Sequence, residues 1–503
     1  MTETLEANVA VIGSGMGGGT LARALGERGI DTLVVERGSR LPREEDNWSP
    51  SRVFLDHVYR NGEPWLDAST GGEFAPGVHY WVGGNTKVYG ASMPRFRERD
   101  FFEFEHPEGV SPAWPFTYAQ LEPYYGIAER WYGVHGTPGE DPTEPWRSGD
   151  YPYPALPHEP YVADVLARLR GAGARPYSMA MAVDHRAGGR CIRCRTCDGF
   201  PCRVHAKGDA EICGIDPALE TGNVRLTVST RVERLRTDPS GKRVVAAEAK
   251  RDGEAVTIRA RTFVVSAGAV NSAALLLRSA SVRHPHGLAN SSGLVGRRYM
   301  VHNCTFMVAI DPRRTNPTSF QKTAGINDWY LDSDLGRPLG NVQLLGKLQA
   351  PMAKGARPRV PTRVLDAATR RSIDWYLESE DLPDPENRVT LDGDGRIRIH
   401  WRPTNMGAHR GLIERTRELL KRAGFPIVLH ETMGIATNSH MCGTAVAGDD
   451  PRISVVDGYC RTHDVENLLV VDSSFFPSSA ALNPALTIAA QAIRVAHEGD
   501  VLR

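Results

Sequence analysis

An α/β fold of two domains is what the sequence predicts. Three observations predict it: a strand, a helix and a second strand in immediate succession at the amino terminus, a glycine-rich turn between the first strand and the helix, and a length of 503 residues, more than one hydrophobic core usually serves.

Each element has its own reason. Residues 8–12 are a short apolar run, 16–28 carry helical periodicity, and 31–36, with the sequence DTLVVE, are rich in β-branched residues. Between the first two stands Gly13-x-Gly15-x-x-Gly18. Its glycines permit a tight turn, close approach of a pyrophosphate to the backbone, and close packing of helix on strand. Glu36 ends the second strand where a carboxylate accepts hydrogen bonds from the ribose hydroxyls of an adenosine, which speaks against a 2'-phosphate. A tight turn that binds nothing leaves Glu36 unexplained, so the unit reads as a Rossmann-like dinucleotide-binding domain. Further along, residues 230–235 are strand-like, 263–268 form a strand running into a helix, and 485–495 are an apolar helix after Asn483 and Pro484.

Composition narrows the classes. Hydrophobic residues make up 41% and charged residues 24%, while 50 glycines and 34 prolines imply many shaped loops, the places where sites are built. The 60 basic and 60 acidic residues balance, so no nucleic acid, anionic membrane or polyanion is expected as a partner. Residues 1–7 are acidic and lead directly into a strand without a basic segment, apolar signal core or twin arginine, from which a cytoplasmic protein is expected. No uncharged apolar run approaches the roughly 20 residues that cross a bilayer, so direct membrane insertion is not expected.

The carboxyl-terminal third carries a series of motifs: His440-Met-Cys-Gly-Thr444, Val455-Val-Asp457, Asn467-Leu-Leu-Val-Val-Asp472, Phe476-Pro477-Ser-Ser479 and Asn483-Pro-Ala-Leu-Thr487. In order and spacing this series resembles the end of the glucose-methanol-choline (GMC) oxidoreductases. Val82-Gly-Gly-Asn85, Phe263-Val-Val-Ser-Ala-Gly268 and Leu294-Val-Gly-Arg297 match as well. The likeness runs from residue 8 to about 495 and is loose only over roughly 301–430.

The resemblance implies a discontinuous FAD-binding domain, residues 1–100, 190–300 and 436–503, and a second, α+β substrate-binding domain, residues 101–189 and 301–435. Gly13, Gly15, Gly18 and Glu36 would hold the ADP half of FAD, and Gly84 and Asn85 would lie on the loop beside the flavin. Val232 would offer backbone bonds to adenine, Ala267 and Gly268 would cap a helix near the pyrophosphate, and Asp472 would lie where the chain returns to the flavin. Asn483 and Pro484 would sit near the flavin ring. Pyranose oxidases carry a histidine that bonds covalently to flavin after this Gly-Gly pair. Here the matching position is Val88, so non-covalent FAD is expected.

The chemistry also follows from residue types. Taking a hydride from a carbinol carbon requires a base for the hydroxyl proton and a donor that holds the oxygen, and histidine is the natural base. The family places His440 and Asn483 together over the flavin, as base and as donor to the developing alkoxide. His302 and His463 are assigned to structure.

Cys191, Cys194, Cys197 and Cys202 form C-x2-C-x2-C-x4-C, half of the eight cysteines in the chain. A ferredoxin run has a three-residue last gap and a following proline, whereas here the gap is four and Pro201 precedes Cys202. Flavin subunits of some membrane-associated sugar dehydrogenases of this family hold an iron-sulfur cluster in a cysteine-rich segment before a pair like Ala206-Lys207. An iron-sulfur cluster, structural zinc, disulfides and free thiols all remain open.

The segment around Trp114, Tyr118, Tyr124 and Tyr125 resembles sugar-oxidising members, and residues 82–92 look like enzymes that oxidise a primary hydroxyl of aminosugars. The four aromatics either stack on a pyranose ring or pack a helix. A sugar, aminosugar, glycoside or polyol hydroxyl is the expected substrate. Three classes stand: an oxidase returning electrons to O2, a dehydrogenase passing them to a redox partner, and a non-redox member, either a lyase or isomerase that keeps FAD as scaffold or a degenerate binding module.

Overall fold

The runs Val9–Ile12, Thr32–Val35 and Phe263–Val265 are buried on both faces, which suits the centre of a parallel sheet covered by helices. The computed structural model describes residues 3–60 and 62–502, so the first two residues of the acidic start, Met1 and Thr2, lie outside it. In it the strand Glu3–Ile12 runs parallel to Thr32–Val35 on one side and to Glu254–Val265 on the other. Val224–Thr227 extends the sheet beyond Thr32–Val35, and Leu468–Val470 joins in parallel beside Phe263–Val265. Val244–Arg251 and Thr230–Thr237 finish it as an antiparallel meander. One sheet is thus assembled from three stretches far apart in the chain.

The first strand starts at Glu3, five residues before the expected 8, because residues 3–7 pair with 256–260. The helix is Met16–Glu27 and the second strand Thr32–Val35, each slightly shorter than expected, with Glu36 just past the strand end. The carboxyl-terminal helix, Ala485–Glu498, outlasts its expected end at 495 and packs against both Met16–Glu27 and Tyr118–Tyr132.

That last contact decides between the two roles of the aromatics. Trp114 is buried against Phe101, Phe475 and Phe476, Tyr118 donates to the Trp146 carbonyl, and Tyr125 pairs with Thr487 on the carboxyl-terminal helix. Tyr124 bonds to Glu498 on the same helix. The cluster packs a helix; it is not a stacking platform for a pyranose.

A second sheet has its own hydrophobic core. Its strands lie in the order Ile427–Thr432, Asn303–Ile310, Ser372–Ser379, Asn341–Leu344, Ala324–Ile326 and Tyr177–Ser178, all antiparallel. The helix Met406–Arg422 covers one face with Leu412, Leu419 and Leu420, which join Trp375 and Leu377 in that core. All eight residues of Ser372–Ser379 are buried, although four of them are Ser, Asp, Glu and Ser. Buried polar side chains must find partners, and this strand supplies the site. Among the described residues no helix is long and apolar enough to cross a membrane.

Candidate active site

The amino-terminal unit offers a cradle made mostly of backbone. Gly13 has φ +105°, and a Cβ there would lie 2.2 Å from the Ser266 carbonyl oxygen; one at Gly18 would lie 2.0 Å from the carbonyl oxygen of Gly13. Those two glycines let strand, turn and helix close on one another. Gly15 and Gly268 instead face open space, with nothing within 4 Å of a Cβ built there. Each is the N-cap of a helix, Met16–Glu27 and Ala269–Arg278, and neither helix end receives a side-chain cap. Two uncapped amino ends beside open space fit a pyrophosphate.

Glu36 borders this cradle. One carboxylate oxygen accepts from Ser14 N–H and hydroxyl at 3.1 and 2.6 Å, and the other from Gly38 N–H at 2.8 Å. Burial pushes its carboxyl up, against these hydrogen bonds. Gly84 packs on Gly15, 3.3 Å from a Cβ to the Gly15 Cα. Asn85 uses its side chain locally, accepting from His79 N–H at 2.8 Å and donating to the Gly77 carbonyl at 3.1 Å. Asp472 receives Gly268 N–H at 2.9 Å and the Ser272 hydroxyl at 2.5 Å, while Ala267 N–H goes to Ser272. Val232 lies on the edge strand Thr230–Thr237, beside a bulge and two residues past the Thr230 N–H bond to the Glu36 carbonyl.

The second sheet reaches the same region with side chains. His440, half-buried, has Nδ1 2.9 Å from Oε1 of Glu378 and 3.0 Å from Nδ1 of His302. Asn483 donates its amide to the same Oε1 at 3.5 Å, and its carbonyl accepts from Gln343 at 2.9 Å. Gln343 gives a second bond, 2.6 Å, to Glu378 Oε2. A single buried carboxylate therefore joins His440 and Asn483, the two residues that sequence reasoning paired.

Proton bookkeeping fixes the tautomers. His302 Nε2 lies 2.8 Å from the Ser479 carbonyl, which only accepts, so Nε2 carries the hydrogen. With His302 neutral its Nδ1 is an acceptor and the proton between the two rings belongs to His440 Nδ1; once protonated, His302 donates from Nδ1 to Glu378 Oε1, 3.4 Å away. His440 keeps its Nε2 lone pair for substrate. Burial alone would push the Glu378 carboxyl up, but hydrogen bonds and charge from His302 and His440 bring it down to about 2. Burial lowers His302, yet its hydrogen bond and attraction to Glu378 raise it overall. Among the described residues these three side chains are also the one His, Cys, Asp and Glu trio whose ligand atoms fall within 4.8 Å of one another. That donor set suits a metal in kind, although each atom is already engaged in the hydrogen bonds above.

The four clustered cysteines are free thiols in the loop after Asp184. The loop is tied to the Asn85-to-Tyr89 stretch by Gly199 N–H on the Val88 carbonyl, and buried Lys207 bonds the Cys197 and Phe200 carbonyls. Burial pushes the Cys197 thiol up to about 12, and Cys202, Cys194 and Cys191 add to the rise. The sulfurs thus feel one another without making a trio within 4.8 Å.

Comparison with known proteins settles the family. Two GMC oxidoreductase models match, at residues 81–304 and 383–492. Paromamine 6'-oxidase of Streptomyces fradiae is 34% identical over 97% of this chain and 90% of its own length. The chain belongs to the GMC oxidoreductase family. Fructose dehydrogenase large subunit of Gluconobacter japonicus, 28% identical over 98% of both chains, is a second similar protein. In structure, the pyridoxine 4-oxidase from Mesorbium loti superposes with a TM-score of 0.66 at 18% identity, covering 98% of this chain and 99% of that one. As a GMC member the chain is a flavoprotein oxidoreductase of alcohol groups, in a family that binds FAD.

Three residues beside His440 and Asn483 are not brought there by sequence reasoning. His302, read as structural, lies with Nδ1 3.0 Å from His440 Nδ1. Glu378 and Gln343 lie in the stretch where the family likeness is loose. One signal was available: an acid inside the otherwise continuous strand run SIDWYLES is too expensive to bury without partners.

Proposed function

We propose that this GMC oxidoreductase oxidises a hydroxyl of a sugar, aminosugar, glycoside or polyol, with His440 as base and Asn483 as donor to the substrate oxygen. Bound FAD supplies the hydride acceptor. Residues 1–100, 190–300 and 436–503 serve the cofactor and 101–189 and 301–435 the substrate. His440 takes the hydroxyl proton on Nε2, while Nδ1–H stays between Glu378 and His302. The Glu378 carboxylate then faces the imidazolium and compensates its charge. Asn483, held by Gln343, gives its amide hydrogens to the oxygen as that atom gains charge. The observation that carries this reading is the one Glu378 oxygen shared by His440 and Asn483. Names of similar proteins, paromamine 6'-oxidase and fructose dehydrogenase, support the substrate class. Anaerobic addition of paromamine, glycosides and polyols to the FAD-loaded enzyme should bleach the flavin absorbance; failure of every member of the panel would reject the substrate class.

A second reading concerns electron exit. The four thiols, clustered in a loop bonded to Val88, favour a dehydrogenase in which Cys191, Cys194, Cys197 and Cys202 hold an iron-sulfur cluster. Iron and sulfide analysis of protein prepared without oxygen tests it: zinc alone, or no metal, rejects the cluster.

A further inference from the structure

Beside the reaction centre lies a small cavity, with room for a group about the size of a water molecule, that reaches Gln343 and Asn483. Two of its lining residues, Asn341 and Gln343, alternate along the strand Asn341–Leu344 and so share a face. Their amide nitrogens are committed to acceptors, Asn341 to Asn327 Oδ1 at 2.7 Å and Gln343 to Glu378 Oε2 at 2.6 Å. That fixes the amide orientations and leaves both carbonyl oxygens on the other side. Both oxygens are buried without a hydrogen-bond partner among the described residues, and each residue is 1% exposed. Unpaired buried acceptors call for a ligand that donates.

Charge around the cavity points the same way. Arg95 bonds Glu122 and Glu129, Arg147 links Glu129 to Glu144, and Arg97 pairs with Asp141. Four carboxylates thus face three guanidiniums, and every one of these side chains is at most 10% exposed. Arg95 and Arg97 are both held above the ordinary arginine value, the carboxylates outweighing burial. Of this network Arg95, Arg97, Asp141 and Glu144 line the cavity, and Asp100 adds to the negative field at Arg97, in surroundings that water screens poorly.

We propose that this cavity is a subsite for a protonated amine of the substrate, with Asn341 Oδ1 and Gln343 Oε1 as acceptors and the Asp141 and Glu144 side of the network as the attracting charge. An ammonium brings three donors and a positive charge, whereas a hydroxyl brings one donor and none. The assignment rests on the proposed oxidation of sugar-like alcohols and names the amine-bearing members as preferred.

Three probes test it on FAD-loaded wild-type enzyme: paromamine, its N-methylated form, which keeps the charge, and its N-acetylated form, which loses it. Acetylation should lower kcat/KM by about tenfold or more, and methylation by much less. Glu144→Gln, which removes one carboxylate from the cavity lining, and Asn341→Leu should each narrow the gap between the charged and acetylated probes. Equal kcat/KM for the free and acetylated amines overturns the subsite while leaving the proposed reaction intact. Should no probe reduce the flavin while a glycoside or polyol does, the subsite is overturned and the proposed reaction stands; if neither reduces it, the proposed reaction fails.

Discussion

The cofactor cradle and the reaction centre are built on opposite principles. In the cradle, the groups on offer are glycine backbone, uncapped helix ends and one acid, and most of them fall within the first 36 residues. At the reaction centre, His302, Gln343, Glu378, His440 and Asn483 come from five separate segments, and each side chain is set by another. The cradle should therefore respond most to added volume, while the reaction centre should tolerate small changes of shape and fail when a proton or carboxylate is misplaced.

Gly13→Ala is the sharpest way to break the cradle, because its Cβ would collide with the Ser266 carbonyl at a φ that L-residues rarely adopt. The variant should purify without bound flavin or fail to fold, read by absorbance and thermal melting; a yellow, stable Gly13→Ala protein would contradict the close strand-to-turn contact. In the reaction centre, Asn483→Ala should slow flavin reduction by alcohol about 10²-fold or more with FAD content unchanged. Glu378→Gln should slow it less, about 10- to 100-fold, since His302 still holds the His440 proton.

The same carboxylate makes a pH prediction. Folded Glu378 titrates at about 2, below the roughly 4.3 of an unfolded glutamate. A depressed folded value stabilises the protein above the unfolded value, and that contribution is lost as pH falls from about 4.3 through about 2. Wild type should be more stable than Glu378→Gln near neutrality, and the gap should close across that acid window in denaturant melts. A gap that stays constant there would mean the carboxylate is not held ionised. The smallest effect belongs to Val88, which lacks a nucleophile. Acid precipitation should leave a colourless pellet and yellow supernatant, and flavin retained in the pellet would show a covalent bond.

Legibility followed the same division. The cradle could be read because its requirements are local: turn, helix end and acid lie at fixed spacing, and the observed elements Met16–Glu27 and Thr32–Val35 lie within two residues of expectation. His440 and Asn483 were read only through a family pattern, since no rule of spacing brings residues 43 apart onto one oxygen of a third. Glu378 and Gln343 escaped because their strands are buried on both faces, where the alternation that marks a half-exposed strand disappears. The aromatic run around Tyr118 misled for a related reason: helix packing and sugar stacking use the same residue types.

The central claim is that the Nε2 of His440, with Nδ1–H pinned by Glu378 and His302, takes the substrate proton. Stopped-flow reduction of FAD-loaded His440→Ala by an alcohol substrate, followed across pH, tests it most directly. The account predicts full FAD content, reduction slowed by about 10²- to 10⁴-fold, and loss of the wild-type fall in rate on the acid side, where a histidine base becomes protonated. Wild-type rates in the variant, or an acid limb that persists, would place the base elsewhere.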